Sequence, residues 1–189
     1  TLERCKDEFI FLDKFVEKGL LEKLNKVVES DFKRVTYKEC IDLLKQASVK
    51  FEFKPEYGED LAKEHERYIT EYFKCPVFIT YWPQKVKKCF YMKQMDDGTV
   101  ANADLEMPGI GETYGMSQRE DDFDKLERRI EELGMDKEEY RWYMNLRKYG
   151  TTTHSGFGMG FERLIMYMTG MTNIRDVSAF PRTPNNCLY

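Results

Sequence analysis

Histidine is nearly missing: the 189 residues include only His65 and His154, too few for an imidazole metal cage. Cysteine is sparse and unpaired in pattern. Cys5, Cys40, Cys75, Cys89 and Cys187 are an odd number, widely scattered, with no Cys-x-x-Cys spacing. That argues against a zinc site or disulfide framework and points to reduced thiols in a cytoplasmic compartment. No apolar run approaches the roughly 18 residues that span a bilayer, and no basic-then-apolar leader opens the chain. Positive charge is not in excess either. Thirty Lys and Arg against 34 Asp and Glu leave a net charge of −4, which excludes a purely electrostatic nucleic-acid binder. No methionine precedes Thr1, and the first residues already read as an amphipathic helix, so the expectation is a piece of a longer polypeptide.

What is present is globular in texture, with 41% hydrophobic and 14% aromatic residues. Phe9, Leu12, Phe15 and Val16, then Leu20, Leu21, Leu24 and Val27, recur at helical spacing and predict two helices separated by Gly19. Thr36 with Glu39 three residues on is a capping box for a helix over 37–46. A further helix is predicted over 59–73; its His65 lacks the second histidine of a zinc hydrolase helix and reads as structural. From Pro76 the texture turns β-branched and aromatic, predicting strands over 77–81, 89–95, 99–106 and 110–116. Short connections make these neighbours antiparallel. Lys85, Lys87 and Lys88 read as a solvated loop. Two charged helices, 119–133 and 136–149, are inserted before a last strand over 154–159 and a helix ending at Gly170. The fold class is therefore α+β, an antiparallel sheet flanked by helices.

Two constellations carry chemistry. In His154-Ser-Gly-Phe-Gly-Met-Gly-Phe-Glu-Arg163 the alternating Gly156, Gly158 and Gly160 strip one face of a strand, on which a flat ligand can lie. The helix beginning near Phe161 offers amides to an anion, and Arg163 adds a planar charged fork, which suits a nucleotide with phosphates; on spacing alone a glycine-rich core strand with a surface arginine is the equal alternative. In Asp104-Leu-Glu-Met-Pro-Gly-Ile-Gly-Glu112 a three-residue loop at 108–110 puts Glu106 opposite Glu112, so Asp104, Glu106, Glu112 and Tyr114 share a face. Such carboxylates either line a solvated edge or, on a shared face, repel one another unless a cation sits between them, and Mg2+ with phosphate oxygens answers that need. Arg119 stands seven residues past Glu112, an odd spacing that an ideal strand sends to the other face. A bulge at Gly115 would correct it.

These residues resemble the class II aminoacyl-tRNA synthetases, in the subgroup for aspartate, asparagine and lysine, and most of all its asparaginyl branch. Gly156 through Arg163 is similar to the third signature motif. Asp60-Leu61 with His65-Glu-Arg-Tyr68, Phe90-Tyr-Met92, Pro108-Gly-Ile-Gly-Glu112, Ser117-Gln-Arg-Glu120, Asn173-Ile-Arg-Asp-Val177 and Phe180-Pro-Arg182 also match. The likeness runs from about Tyr37 to Pro184.

The resemblance implies ATP-dependent ligation of L-asparagine to tRNA(Asn) through an asparaginyl-adenylate, with ATP and Mg2+ and, by family habit, a homodimer. It casts Arg163 and Glu112 as catalytic. Arg163 would hold the terminal phosphate of ATP, with Gly158, Gly160, Phe161 and Glu162 lining the nucleotide pocket. Glu112 would bind Mg2+ and ATP, Asp104 would support the metal, and Arg119, beside Gly115, would grip the amino-acid side chain. Gly115-Met116 replaces the family's paired glycines, so the Met116 side chain is expected to intrude on substrate. The first two class motifs and the anticodon-binding barrel find no counterpart, which implies a C-terminal portion of a catalytic domain, inactive alone. A paralogue that amidates aspartate or adenylates without tRNA, and a non-catalytic binding module, are the alternatives.

Overall fold

The computed structural model describes residues 1–186, so Cys187 lies outside the described residues. The chain divides into two units, one of residues 32–158 and one of residues 1–31 with 159 onward. In the latter, α1 (Lys6–Phe15) and α2 (Leu20–Glu29) are the predicted pair. Gly19 turns the chain between them with φ 88°, a left-handed value at which a side chain is strained. Phe9, Leu20 and Leu24 are buried.

The larger unit opens with β1 (Lys33–Thr36), too short and too charged to be read from alternation. Thr36 caps α3 (Tyr37–Lys45) as expected. Its hydroxyl accepts the Glu39 N–H at 3.2 Å, and Glu39 Oε2 accepts the Thr36 N–H at 2.7 Å. The next helix, α4 (Lys63–Phe73), starts later than position 59. His65 sets that start: its Nδ1 accepts the Ala62 N–H at 3.1 Å, so Nε2 carries the proton and donates to the Phe53 carbonyl at 2.8 Å. The ring is buried, in keeping with a structural role.

Four strands follow: β2 (Val77–Thr80), β3 (Asn102–Met107), β4 (Gly111–Gln118) and β5 (Ser155–Met159), in the order β1-β2-β3-β4-β5. β2 with β3 and β3 with β4 are antiparallel, but β1 and β2 are parallel, so the α+β sheet is mixed rather than wholly antiparallel. The crossover through α3 and α4 returns the chain in its original direction, which short loops cannot do. The expected strand over 89–95 is reduced to isolated pairings, Met92 with Arg119 and Gln94 with Val100. A side chain breaks the ladder there, because the Gln94 N–H donates to Glu120 Oε2 at 2.9 Å.

The core lies between this sheet and α3 and α4, where Ile41, Leu44, Ile69 and Ile79 are fully enclosed with Val77 and Trp82. Each such aliphatic side chain contributes about 1.5–3 kcal/mol. The inserted pair α5 (Phe123–Glu132) and α6 (Lys137–Lys148) has a small core of its own around Leu126, Ile130 and Met144. In the smaller unit, α7 (Phe161–Thr169) ends on Gly170 with φ 75°, and a 3₁₀ turn, Ile174–Asp176, follows. Among the described residues no helix is long and apolar enough to cross a membrane.

Candidate active site

The β3–β4 hairpin closes as its sequence predicts, with Met107 opposite Gly111 and Glu106 opposite Glu112. The next pair is Leu105 with Tyr114, which leaves Thr113 as an extra residue. Its hydroxyl donates to the Leu105 carbonyl at 3.2 Å. The bulge that the Glu112-to-Arg119 spacing demands therefore exists, at Thr113 and not at Gly115, which pairs regularly with Asp104. Beyond the bulge Gly115, Ser117 and Arg119 return to the face of Glu112. Tyr114, expected among the acids, is carried to the opposite face with Leu105.

Glycine matters at position 115 for what stands over it. A β-carbon there would lie 3.3 Å from Glu112 Oε1 and 3.6 Å from Asp104 Oδ1, so the two carboxylates converge above bare backbone. The other Asp104 oxygen, Oδ2, lies 2.7 Å from Lys87 Nζ. Burial raises the Asp104 carboxyl above its ordinary value despite Lys87 beside it, with Glu112 and Asp60 adding repulsion. Burial pulls Lys87 down, but Asp104, Glu112 and Asp60 outweigh it and hold the ammonium charged. Lys87 thus belongs to the site and not to a solvated loop. Its signal was available, since an acid-rich face needs a counter-charge and Lys85, Lys87 and Lys88 are the one local basic cluster.

Glu106 is the most enclosed of the acids, 2% exposed, with no partner for its Oε2. Burial, then repulsion from Glu66, Glu112 and Asp104, pushes it up to about 9, so it is neutral at pH 7. Among the described residues no three His, Cys, Asp or Glu side chains are arranged to hold a metal by themselves. Asp104 and Glu112 would need oxygens from elsewhere, as Mg2+ sites built on phosphates do.

Arg119 is held on three sides. Its Nη1 donates to Ser117 Oγ at 2.6 Å, its guanidinium carbon lies 4.5 Å from the centroid of the Tyr91 ring, and its backbone N–H donates to the His154 carbonyl. Gly156 lies against the guanidinium as well, since a β-carbon there would stand 2.5 Å from Nη2. The stripped face of β5 is real, and at Gly156 an arginine already lies on it. At Gly158 a β-carbon would meet open space. Tyr91, part of the Phe90-Tyr-Met92 match, had no role assigned from sequence; its contact with Arg119 is non-local. Met116 does not intrude. It pairs with Ala103 on the opposite face and lines a cavity of about 600 Å³ there, with Phe78 and Phe157.

The remaining candidates sit in the smaller unit at the start of α7. Gly160 is its N-cap, and a β-carbon on it would touch the Arg163 side chain at 3.4 Å. Phe161, Glu162 and Arg163 are exposed along the first turn.

The asparagine--tRNA ligase of Clostridium botulinum (strain Hall) is 57% identical over 191 residues, covering 100% of this chain and 41% of that protein. The chain thus spans about two-fifths of the length of the curated relatives it matches. The crystal structure of asparaginyl-tRNA synthetase from Pyrococcus horikoshii complexed with asparaginyl-adenylate superposes with a TM-score of 0.79 at 40% identity, over 93% of this chain and 39% of that one. Aspartyl tRNA synthetase from Entamoeba histolytica shares the fold at 25% identity and a TM-score of 0.71, over 99% of this chain and 41% of that one. The family described as tRNA synthetases class II (D, K and N) matches residues 4–184, nearly the whole length, and the chain belongs to it.

Proposed function

We propose that this chain supplies the C-terminal portion of the catalytic domain of an ATP-dependent asparagine--tRNA ligase, the anticodon-binding domain and the first two class motifs lying outside it. The observation that carries the reading is Arg119, laid against Gly156 on the sheet face where Asp104 and Glu112 converge. In this reaction the carboxylate of L-asparagine attacks the α-phosphorus of ATP, pyrophosphate leaves, and a terminal ribose hydroxyl of tRNA(Asn) then takes the acyl group. No protein nucleophile is needed, so the residues act by positioning and by stabilising charge.

Arg119 donates to the side-chain oxygen of the amino acid, and the bare backbone at Gly115 lets the substrate approach. Asp104 and Glu112 would hold Mg2+, which when bound offsets the charge of the phosphates. The fit rests on their converging oxygens above the bare backbone of Gly115. Arg163 takes the terminal phosphate of ATP, with Gly158, Gly160, Phe161 and Glu162 around the nucleotide. Asparagine is favoured over aspartate by the higher identity to asparaginyl relatives, 57% and 40% against 25%. A homodimer in the cytoplasm completes the reading; the scattered cysteines suit a reducing compartment.

The test is asparagine-dependent pyrophosphate exchange by a polypeptide of the relatives' full length. Arg119→Ala should raise KM for asparagine far more than KM for ATP. An equal rise in both, or a preference for aspartate in the parent enzyme, would refute the assignment.

A further inference from the structure

The two oxygens of Asp104 serve two different neighbours. Oδ2 lies 2.7 Å from Lys87 Nζ, while Oδ1 is the oxygen on the Gly115 side, where Glu112 Oε1 also arrives. Lys87 is itself fixed. Its Nζ stands 4.1 Å from the centroid of the Trp82 ring, and the buried Trp82 is tied by its indole N–H to the Ile79 carbonyl at 3.3 Å. An ion pair at one oxygen favours the carboxylate orientation that leaves the other oxygen on the Gly115 side.

We infer that Lys87 is a positioning residue for Asp104: its ammonium takes Oδ2 and so keeps Oδ1 aimed at the space shared with Glu112. The inference rests on the proposed Mg2+ site and adds to it the group that orients one ligand. Mg2+ demands near-ideal geometry at about 2.1 Å, and partners that orient a metal ligand carry about 10–100-fold in affinity. The opposing effect is repulsion between an ammonium and a dication. The ammonium stands 2.7 Å from Asp104 Oδ2, the oxygen other than the one on the Gly115 side.

The experiment is Mn2+ binding by electron paramagnetic resonance on a polypeptide of the relatives' full length with a non-hydrolysable ATP analogue bound, so that phosphate oxygens are present and there is no turnover. Lys87→Met keeps the stem against Trp82 and removes the charge; it should weaken Mn2+ binding about 10-fold or more. Lys87→Arg, which keeps a charged donor, should bind Mn2+ several-fold more tightly than Lys87→Met. Binding by Lys87→Met as tight as the parent's, or tighter, would overturn the inference and mark Lys87 as a competitor of the metal. A parent chain that binds no Mn2+ would remove the metal reading itself, and this inference with it. A second measurement needs no variant to fold. Acetylation of Lys87 in the parent, read by mass spectrometry beside the exposed Lys85 and Lys88, should stay low when Mn2+ is added. A several-fold rise on metal addition would show the ammonium displaced and overturn the inference.

Discussion

At Gly115 and Gly156 the missing β-carbon is used directly, because the space it would fill holds two carboxylates in one case and a guanidinium in the other. Gly156→Ala places a methyl group 2.5 Å from Arg119 Nη2, so the guanidinium must leave its stack on Tyr91. In an enzyme of full length this should raise KM for asparagine while KM for ATP changes little, as read by pyrophosphate exchange. Glu106 makes a prediction about pH. Folded, it keeps its proton to about pH 9, whereas an unfolded glutamate releases it near 4.5. Its contribution to stability is therefore complete below about pH 4.5 and is lost as pH rises through about 9. Thermal unfolding midpoints should fall across that window, and Glu106→Gln, neutral at every pH, should flatten the fall. The same slope in parent and variant would contradict a buried neutral acid.

The start of the inserted helices is organised around one fully buried residue, Glu120, which bonds through both its carboxylate and its carbonyl. Glu120 accepts the N–H groups of Gln94, Asp121 and Asp122, and its own carbonyl accepts from Arg147 Nε at 2.9 Å. Glu120→Ala would take this acceptor from three part-buried or exposed N–H groups and should cost about 1–3 kcal/mol in urea unfolding. Helices were legible because their signals are local, as with Thr36 and Glu39 flanking the start of α3. Strands were less so. The stretch around Met92 has strand composition, yet Glu120, 26 residues beyond Gln94, takes the hydrogen bond that a ladder would need. β1 was missed because four residues are too few for alternation to show.

The whole chain covers 41% of the length of its Clostridium botulinum relative, and the residues assigned to ATP and to asparagine do not include an arginine for the α-phosphate. The 189-residue chain by itself should therefore show no asparagine-dependent pyrophosphate exchange above background. Exchange at a measurable rate would mean that the residues present suffice for adenylate formation.

Glycine alternation in β5, the hairpin pairing of Glu106 with Glu112 and the need for a bulge before Arg119 could all be worked out from the order of residues. Each follows from strand periodicity over a dozen positions or fewer. The place of the bulge, the recruitment of Lys87 and the harmless face of Met116 could not. They depend on which distant side chain arrives first: the Leu105 carbonyl for Thr113, Asp104 for Lys87, Ala103 for Met116. Periodicity sorts residues onto faces, but one inserted residue reverses the sorting, and only packing against the neighbouring strand says where that residue sits.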